Sequence, residues 1–300
     1  MIPPSSRFIV RLCGVILAAA FLTVVPRSMA EVTVKSGEKV SFLGDSITAQ
    51  GWGNPAGYVK LIVAGLAANG INVEPLPAGI GGHKSNDMLA RLDRDVLSKS
   101  PQWMTLSCGV NDVWHGNKGV PLDDAQAAAQ IYEKRNSTEP EKGTFEKNIT
   151  AIVDQAQAAG IRVIILTATV IRENLGSEEN AKLVPYNDFL RKLAKERKLP
   201  LADLNEALQQ KIKAYNQPSK NFYTVDGVHM NIEGNKVMAT GVLQAFGFDA
   251  AQIKKAEEAW APLEVQAAEV ARKDAEAKKA KAEAEKAAAT ANPTAAPAAK

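Results

Sequence analysis

The 300-residue sequence predicts an α/β fold, a central parallel sheet covered by helices on both faces in a three-layer α/β/α arrangement. Three observations predict it. Apolar runs of strand length alternate with stretches whose apolar residues recur at helical spacing. A strand–helix–strand alternation feeds parallel strands, because each return crossover is a helix. The composition, 46% hydrophobic and 23% charged, is that of a chain that can bury a sizeable core.

The elements follow in order. Residues 39–43 read as a buried strand ending at Gly44, and residues 56–69 as a helix with Tyr58, Leu61, Ile62, Gly65 and Leu66 on one stripe. A second strand is expected at 71–76. A helix is expected at 84–98, with Met88, Leu89, Leu92 and Val96 at helical spacing, and a third strand at 103–107. A helix at 144–158 stops at Gly160 before the clearest strand, 161–166. A helix at 180–197, a short strand at 199–202 and a last helix at 232–246 complete the alternation. Residues 114–143 form a long polar insertion, of a length usually associated with function or mobility. Residues 251–300 hold 20 alanines among alternating Lys and Glu. Asp249 and Gln252 suggest a capping box for a helix to Trp260. The stretch carries helix propensity but too little apolar surface to dock firmly, and from Asn292 a Pro/Ala tail is expected to be disordered.

The first thirty residues read as an export signal. Arg7 and Arg11 precede a 14-residue apolar run at 12–25, shorter than the about 20 residues of a membrane span. Ser28-Met29-Ala30 then offers small residues at a cleavage site. The domain reading is therefore a signal peptide at 1–30, a catalytic domain at 31–250 and a helix-plus-tail at 251–300. The expected location is periplasmic or secreted, with no integral span after cleavage. With the three arginines of the signal set aside, 33 basic and 33 acidic side chains remain, which argues against nucleic acid as a partner. Only Cys13 and Cys108 exist, so a disulfide framework is excluded, and Cys108 reads as a small buried hydrophobe.

Four polar blocks fall at predicted strand ends or on the last loop, where open α/β sheets place their sites. Gly44-Asp45-Ser46-Ile47-Thr48 follows the first strand, putting a serine on a tight turn. Ala78-Gly79-Ile80-Gly81-Gly82-His83 follows the second, with glycines that let backbone approach a ligand. Cys108-Gly109-Val110-Asn111-Asp112 follows the third, and Asn111 offers an amide donor. Val225-Asp226-Gly227-Val228-His229 precedes the last helix. Asp226 and His229, three apart, can meet across one turn, so the carboxylate fixes one imidazole tautomer and leaves the other nitrogen to deprotonate a serine.

These blocks, in this order, resemble the GDSL-type or SGNH hydrolase family of serine esterases and lipases. The resemblance covers about residues 38–247, including the helix start Tyr186-Asn187-Asp188-Phe189-Leu190. It implies a flavodoxin-like fold and no metal or cofactor. It also implies Ser46 as nucleophile, His229 as general base and Asp226 as its orienter, with an oxyanion hole from the Ser46 and Gly82 backbone and the Asn111 side chain. Three departures stand out: His83 occupies a position where relatives commonly carry Asp, Gly81 is a second candidate for the part of Gly82, and the 114–143 insertion is long.

Competing motifs fail on single residues. A P-loop would need glycine at 83, where His83 stands, and the Gly-x-Ser-x-Gly elbow ends in Thr48 instead of glycine. With His83, His115 and His229 alone, a histidine-rich metal site is not expected. His115 reads as loop packing, and Asn136 and Asn148 match glycosylation sequons that arise often by chance. Trp52, His83 and Trp114 are candidate substrate contacts. The loops at 49–57 and 114–124 mix a tryptophan with glycine and polar groups, which suits a sugar better than an acyl chain. The expected function is therefore an exported ester hydrolase acting on short acyl esters of carbohydrates. The alternatives are a lysophospholipase or lipase-type acyl hydrolase, an acyltransferase, or a non-catalytic envelope carbohydrate-binding module, and the partner of the tail is left open.

Overall fold

The computed structural model describes residues 32–115, 119–133, 143–215 and 221–291. The expected export signal, Cys13, Asn136 and the Pro/Ala tail lie outside these residues. Five strands form one parallel sheet in the order β2-β1-β3-β4-β5. They are β1 (Lys39–Gly44), β2 (Glu74–Gly79), β3 (Trp103–Ser107), β4 (Arg162–Leu166) and β5 (Leu201–Ala202). Between β1 and β2 lie α1 (Ser46–Gly53) and α2 (Tyr58–Ala68). Between β2 and β3 lie α3 (Ser85–Ala90), α4 (Leu92–Asp95) and a 3₁₀ turn at Leu97–Lys99. Then come α5 (Val110–Trp114), α6 (Asp124–Glu133), α7 (Phe145–Ala158), α8 (Glu178–Arg197), α9 (Leu204–Tyr215), α10 (Ile232–Ala245) and α11 (Ala250–Ala291).

The chain moves outward from β1 to β2, crosses back to β3, and continues to β5. Parallel crossovers are right-handed, so this reversal puts α2 on one face and the helices following β2, β3 and β4 on the other. The packing agrees: α2 contacts α10 and α11, while α7 contacts α3 and α8. The reversal opens a crevice beyond the carboxyl ends of β1 and β3, the place where such sheets bind ligands. Central β1 and β3 are buried on both faces, with Val40, Phe42, Leu43, Met104 and Leu106 in the apolar core and Ser41, Thr105 and Ser107 buried beside them.

Several expectations shift. The second strand begins at Glu74, not at Ile71; Ile71 and Val73 pack on the core without pairing, and β2 carries Pro75 and Pro77, which an edge strand tolerates. The helix expected at 84–98 breaks at Arg91, which leaves the helical pattern to bind backbone carbonyls. A separate short α1 precedes α2, and α9 was not anticipated. The 186–190 segment lies in mid-helix, since α8 starts behind its Ser177 cap. The insertion is not all loop: Asp123 caps α6 through Gln126, and Tyr186 Oη donates to the Val120 carbonyl at 2.7 Å. Asn148 is buried, its amide donating to Ser85 Oγ, so it is no surface glycan acceptor.

The expectation that residues after 250 lack a docking surface does not hold for the first half of α11. Ile253, Ala256, Trp260 and Ala267 are buried, and Trp260 Nε1 donates to the Leu61 carbonyl at 2.8 Å. The close approach rests on Gly65 of α2, where a Cβ would stand 2.8 Å from the Ala256 Cβ. From residue 268 to 285 the helix is exposed throughout. Pro262 sits inside it. Among the described residues, no helix is long and apolar enough to cross a membrane.

Candidate active site

Ser46 is the first residue of α1, directly beyond β1. Asp45 caps the helix, its carboxylate accepting the Ile47 N–H at 2.9 Å. This leaves the Ser46 N–H among the unpaired first-turn donors of the helix. The Ser46 hydroxyl lies 2.9 Å from His229 Nε2, and His229 Nδ1 lies 2.7 Å from Asp226 Oδ2. The other Asp226 oxygen accepts the backbone N–H groups of Val228 and His229 at 2.9 and 2.8 Å. A carboxylate only accepts, so Nδ1 is the donor and Nε2 of the neutral ring faces the serine as acceptor. Burial works to raise the Asp226 carboxyl, but the bonds from the His229 ring and the two N–H groups outweigh it and hold it below the usual carboxylate range. The three residues form one hydrogen-bonded relay across 183 residues of sequence.

The second and third blocks converge on the same place. Asn111 Nδ2 donates to the His83 carbonyl at 3.1 Å, and Asn111 Oδ1 lies 3.1 Å from His115 Nε2. The amide oxygen accepts, so His115 Nε2 donates, and the pair fixes which way the Asn111 amide points. One amide hydrogen serves His83, and the second can be offered to a further acceptor. Gly82 is exposed with φ of +76°, a conformation that favours glycine, and Gly81 is exposed as well. A Cβ at Gly81 would stand 3.9 Å from the Ser46 Cβ, so this loop borders the serine.

Buried polar groups hold these loops. Asp112 accepts Ser85 N–H and Oγ–H at 3.0 and 2.7 Å and lies 3.5 Å from Cys108 Sγ. Cys108 is buried as expected. Burial pushes the Asp45 and Asp112 carboxyls up to about 6. The Arg91 guanidinium, almost fully buried, donates to the carbonyls of Gly44 and Ala78 at 2.8 and 2.9 Å, to Asp95, and to His83 Nδ1 at 3.1 Å. It thereby ties the carboxyl ends of β1 and β2. Burial and then the Arg91 charge hold the His83 pKa below its usual value; because Nδ1 accepts the Arg91 Nε–H, the ring carries its N–H on Nε2. Sequence reasoning missed Arg91; its one signal was an arginine set between Leu89 and Leu92 inside an apolar stripe.

Of the candidate substrate contacts, Trp114 is exposed at the end of α5, tilted against His115 with ring centres 5.6 Å apart. Trp52 is half-buried, packs on the core and carries the Lys60 ammonium 5.6 Å from its ring centre. Val225, beside Asp226, is 66% exposed. No group of three or more His, Cys, Asp or Glu among the described residues is placed to hold a metal ion.

A serine polarised by a carboxylate-oriented histidine beside an amide donor is an arrangement for acyl chemistry. The sequence matches the GDSL-like Lipase/Acylhydrolase family over residues 42–237. The chain belongs to that family. An acetylxylan esterase from Geobacillus stearothermophilus is 25% identical over 239 residues, covering 72% of this chain and 97% of the relative. The crystal structure of another acetyl xylan esterase, AlAXEase, superposes with a TM-score of 0.58 at 32% identity, covering 69% of this chain and 98% of that one. An alpha/beta hydrolase enzyme from the metagenome of Lake Arreo, Spain, superposes with a TM-score of 0.57 at 25% identity, covering 72% and 98%. Family membership brings the reaction class with it: the protein is a carboxylic ester hydrolase.

Proposed function

We propose that the protein is an exported deacetylase of carbohydrate esters working through an acyl-enzyme on Ser46. The observation that carries the mechanism is the Asp226–His229–Ser46 relay. His229 Nε2 takes the Ser46 proton as Oγ attacks the ester carbonyl. The oxyanion that develops is stabilised by the N–H groups of Ser46 and Gly82 and by Asn111 Nδ2, donors already fixed before the reaction begins. Asp226 stabilises the imidazolium without taking its proton. His229 then protonates the leaving alcohol, and its neutral ring activates the water that releases acetate from Ser46.

The sugar ester reading is supported by the site's border and by the relatives. Trp114 offers an exposed aromatic face that suits the apolar side of a sugar ring, while His83 offers its Nε2–H for a hydroxyl. The acetylxylan esterases named above extend over nearly their whole length onto this chain. Export rests on residues 1–30.

The test is a panel of p-nitrophenyl esters from acetate to palmitate beside acetylated xylan and xylo-oligosaccharides, with Ser46→Ala as control. Preference for acetate together with acetate release from the glycan is expected. Preference for long acyl chains with no acetate release would place the protein among lipid hydrolases. Transfer of acetyl to an added sugar in place of release would make it a transferase.

A further inference from the structure

Glu173 is a buried carboxylate that the mechanism above does not use. It follows β4 and is 5% exposed. Its Oε1 accepts the backbone N–H groups of Tyr223 and Thr224 at 2.8 and 2.7 Å and the Thr224 hydroxyl at 2.7 Å; its Oε2 accepts the Phe222 N–H at 2.8 Å. Three successive N–H groups thus converge on one anion, a backbone nest of the kind that binds negative charge. The neighbouring Arg172 turns away, pairing with Glu179 at 3.2 Å. The nest ends two residues before Asp226.

The same two loops meet at further points. Arg172 N–H donates to the Gly227 carbonyl at 2.6 Å, and Thr224 Oγ1 accepts the Gly227 N–H at 3.2 Å. Gly227 has φ of +95°, and a Cβ there would stand 3.3 Å from the Arg172 Cα. Arg172 itself adopts φ of +69°, unusual for a residue with a Cβ. The post-β4 loop is in turn pinned from behind: the Asn187 side chain brackets Ala168 by its N–H and carbonyl, and Asn180 bonds Ile171 N–H and the Arg172 carbonyl.

Asp226 and His229 occupy a loop outside the five sheet strands; besides Glu173 and Arg172, it is held by the Thr224–Met230 bridge, by Asn231, by Asn235 on the Met230 carbonyl and by the buried side chains of Tyr223, Val228 and Met230. We propose that Glu173 is a positioning residue that sets the height of His229 over Ser46, so that the carboxyl end of β4 governs the relay through the 222–224 nest. The inference rests on the acyl-enzyme reading.

Glu173→Gln replaces one acceptor oxygen by an amide that must face N–H donors. Its kcat on p-nitrophenyl acetate should fall by about 10²-fold, the loss expected from misplacing a catalytic group by about 1 Å, with KM little changed. The downfield proton resonance of His229 Nδ1–H, which reports the Asp226 bond, should broaden or shift. Both are read well below the melting temperature of the variant, where loss of stability alone moves neither. Thr224→Val, which removes the hydroxyl that donates to Glu173 and accepts the Gly227 N–H but leaves the three backbone donors of the nest, should show the same pattern more weakly, and it decides the matter if Glu173→Gln does not fold. Wild-type kcat and an unchanged His229 resonance in the folded variant would overturn the proposal. If the wild type lacks Ser46-dependent turnover, the acyl-enzyme reading fails, and the resonance still tests the clamp by itself.

Discussion

The two halves of the relay are built differently. Ser46, Gly82 and Asn111 stand at the carboxyl ends of β1, β2 and β3, on loops locked beneath by buried Asp45, Asp112 and Arg91. Asp226 and His229 stand on a loop outside the sheet, with Asp226 half-exposed and the segment fastened by buried Glu173, by the Arg172 backbone and by the Thr224–Met230 bridge. The Ser46 side is held by the sheet; the His229 side is hung against it. Damage on the first side should remove transition-state stabilisation at a fixed geometry, whereas damage on the second should change the geometry itself.

The largest expected effects come from the relay. Ser46→Ala and Asp226→Asn should each lower kcat by about 10³-fold or more. The serine change leaves a half-exposed turn intact, so its melting temperature should stay close to wild type. Equal activity in either variant would remove that side from the chemistry. Next, Asn111→Ala should lower kcat by about 10²–10³-fold with little change in KM, because its bond strengthens only as the oxyanion forms. A rise in KM alone would make Asn111 a ground-state contact.

The third concerns the scaffold behind both sides. A chain ending after Ala250 loses Trp260 from its place against α2 and should be less stable by about 3–5 kcal/mol, the usual cost of emptying such a site. A chain ending after Ala271 should melt like the full chain. Identical melting curves for the two would show that α11 contributes nothing to the body.

The smallest effect separates the buried carboxylates. Asp112, raised to about 6, holds its proton more tightly in the folded chain than in the unfolded one. Its contribution is full below about pH 4 and is lost as pH rises through about 6. Asp112→Asn abolishes that slope, so between pH 4 and pH 7 the variant should gain up to about 2–3 kcal/mol relative to wild type in urea titrations. Parallel curves would mean that Asp112 titrates as an ordinary carboxyl.

The same contrast explains what the sequence disclosed. The four blocks were legible because strand ends, glycine turns and the Asp226–His229 spacing are local signals. Arg91 and Glu173 were not: their backbone partners lie 13 and 47 residues away for Arg91 and 49–51 residues away for Glu173, and no periodicity marks a side chain that binds carbonyls or N–H groups. The docking of α11 was missed for another reason. Beside Ile253 and Trp260, the contact is made by Ala256 against Gly65, small residues that a search for large apolar side chains passes over. The start of β2 was misplaced because Ile71 and Val73 are apolar yet unpaired.

The proposed mechanism requires the two sides to meet and activate one serine. Brief exposure of the folded protein to a fluorophosphonate probe, followed by intact-mass and peptide mapping, tests it most directly. A single adduct on Ser46 is expected, formed rapidly in the wild type and lost in both Ser46→Ala and His229→Ala. No adduct, or an adduct whose rate is indifferent to His229, would contradict it.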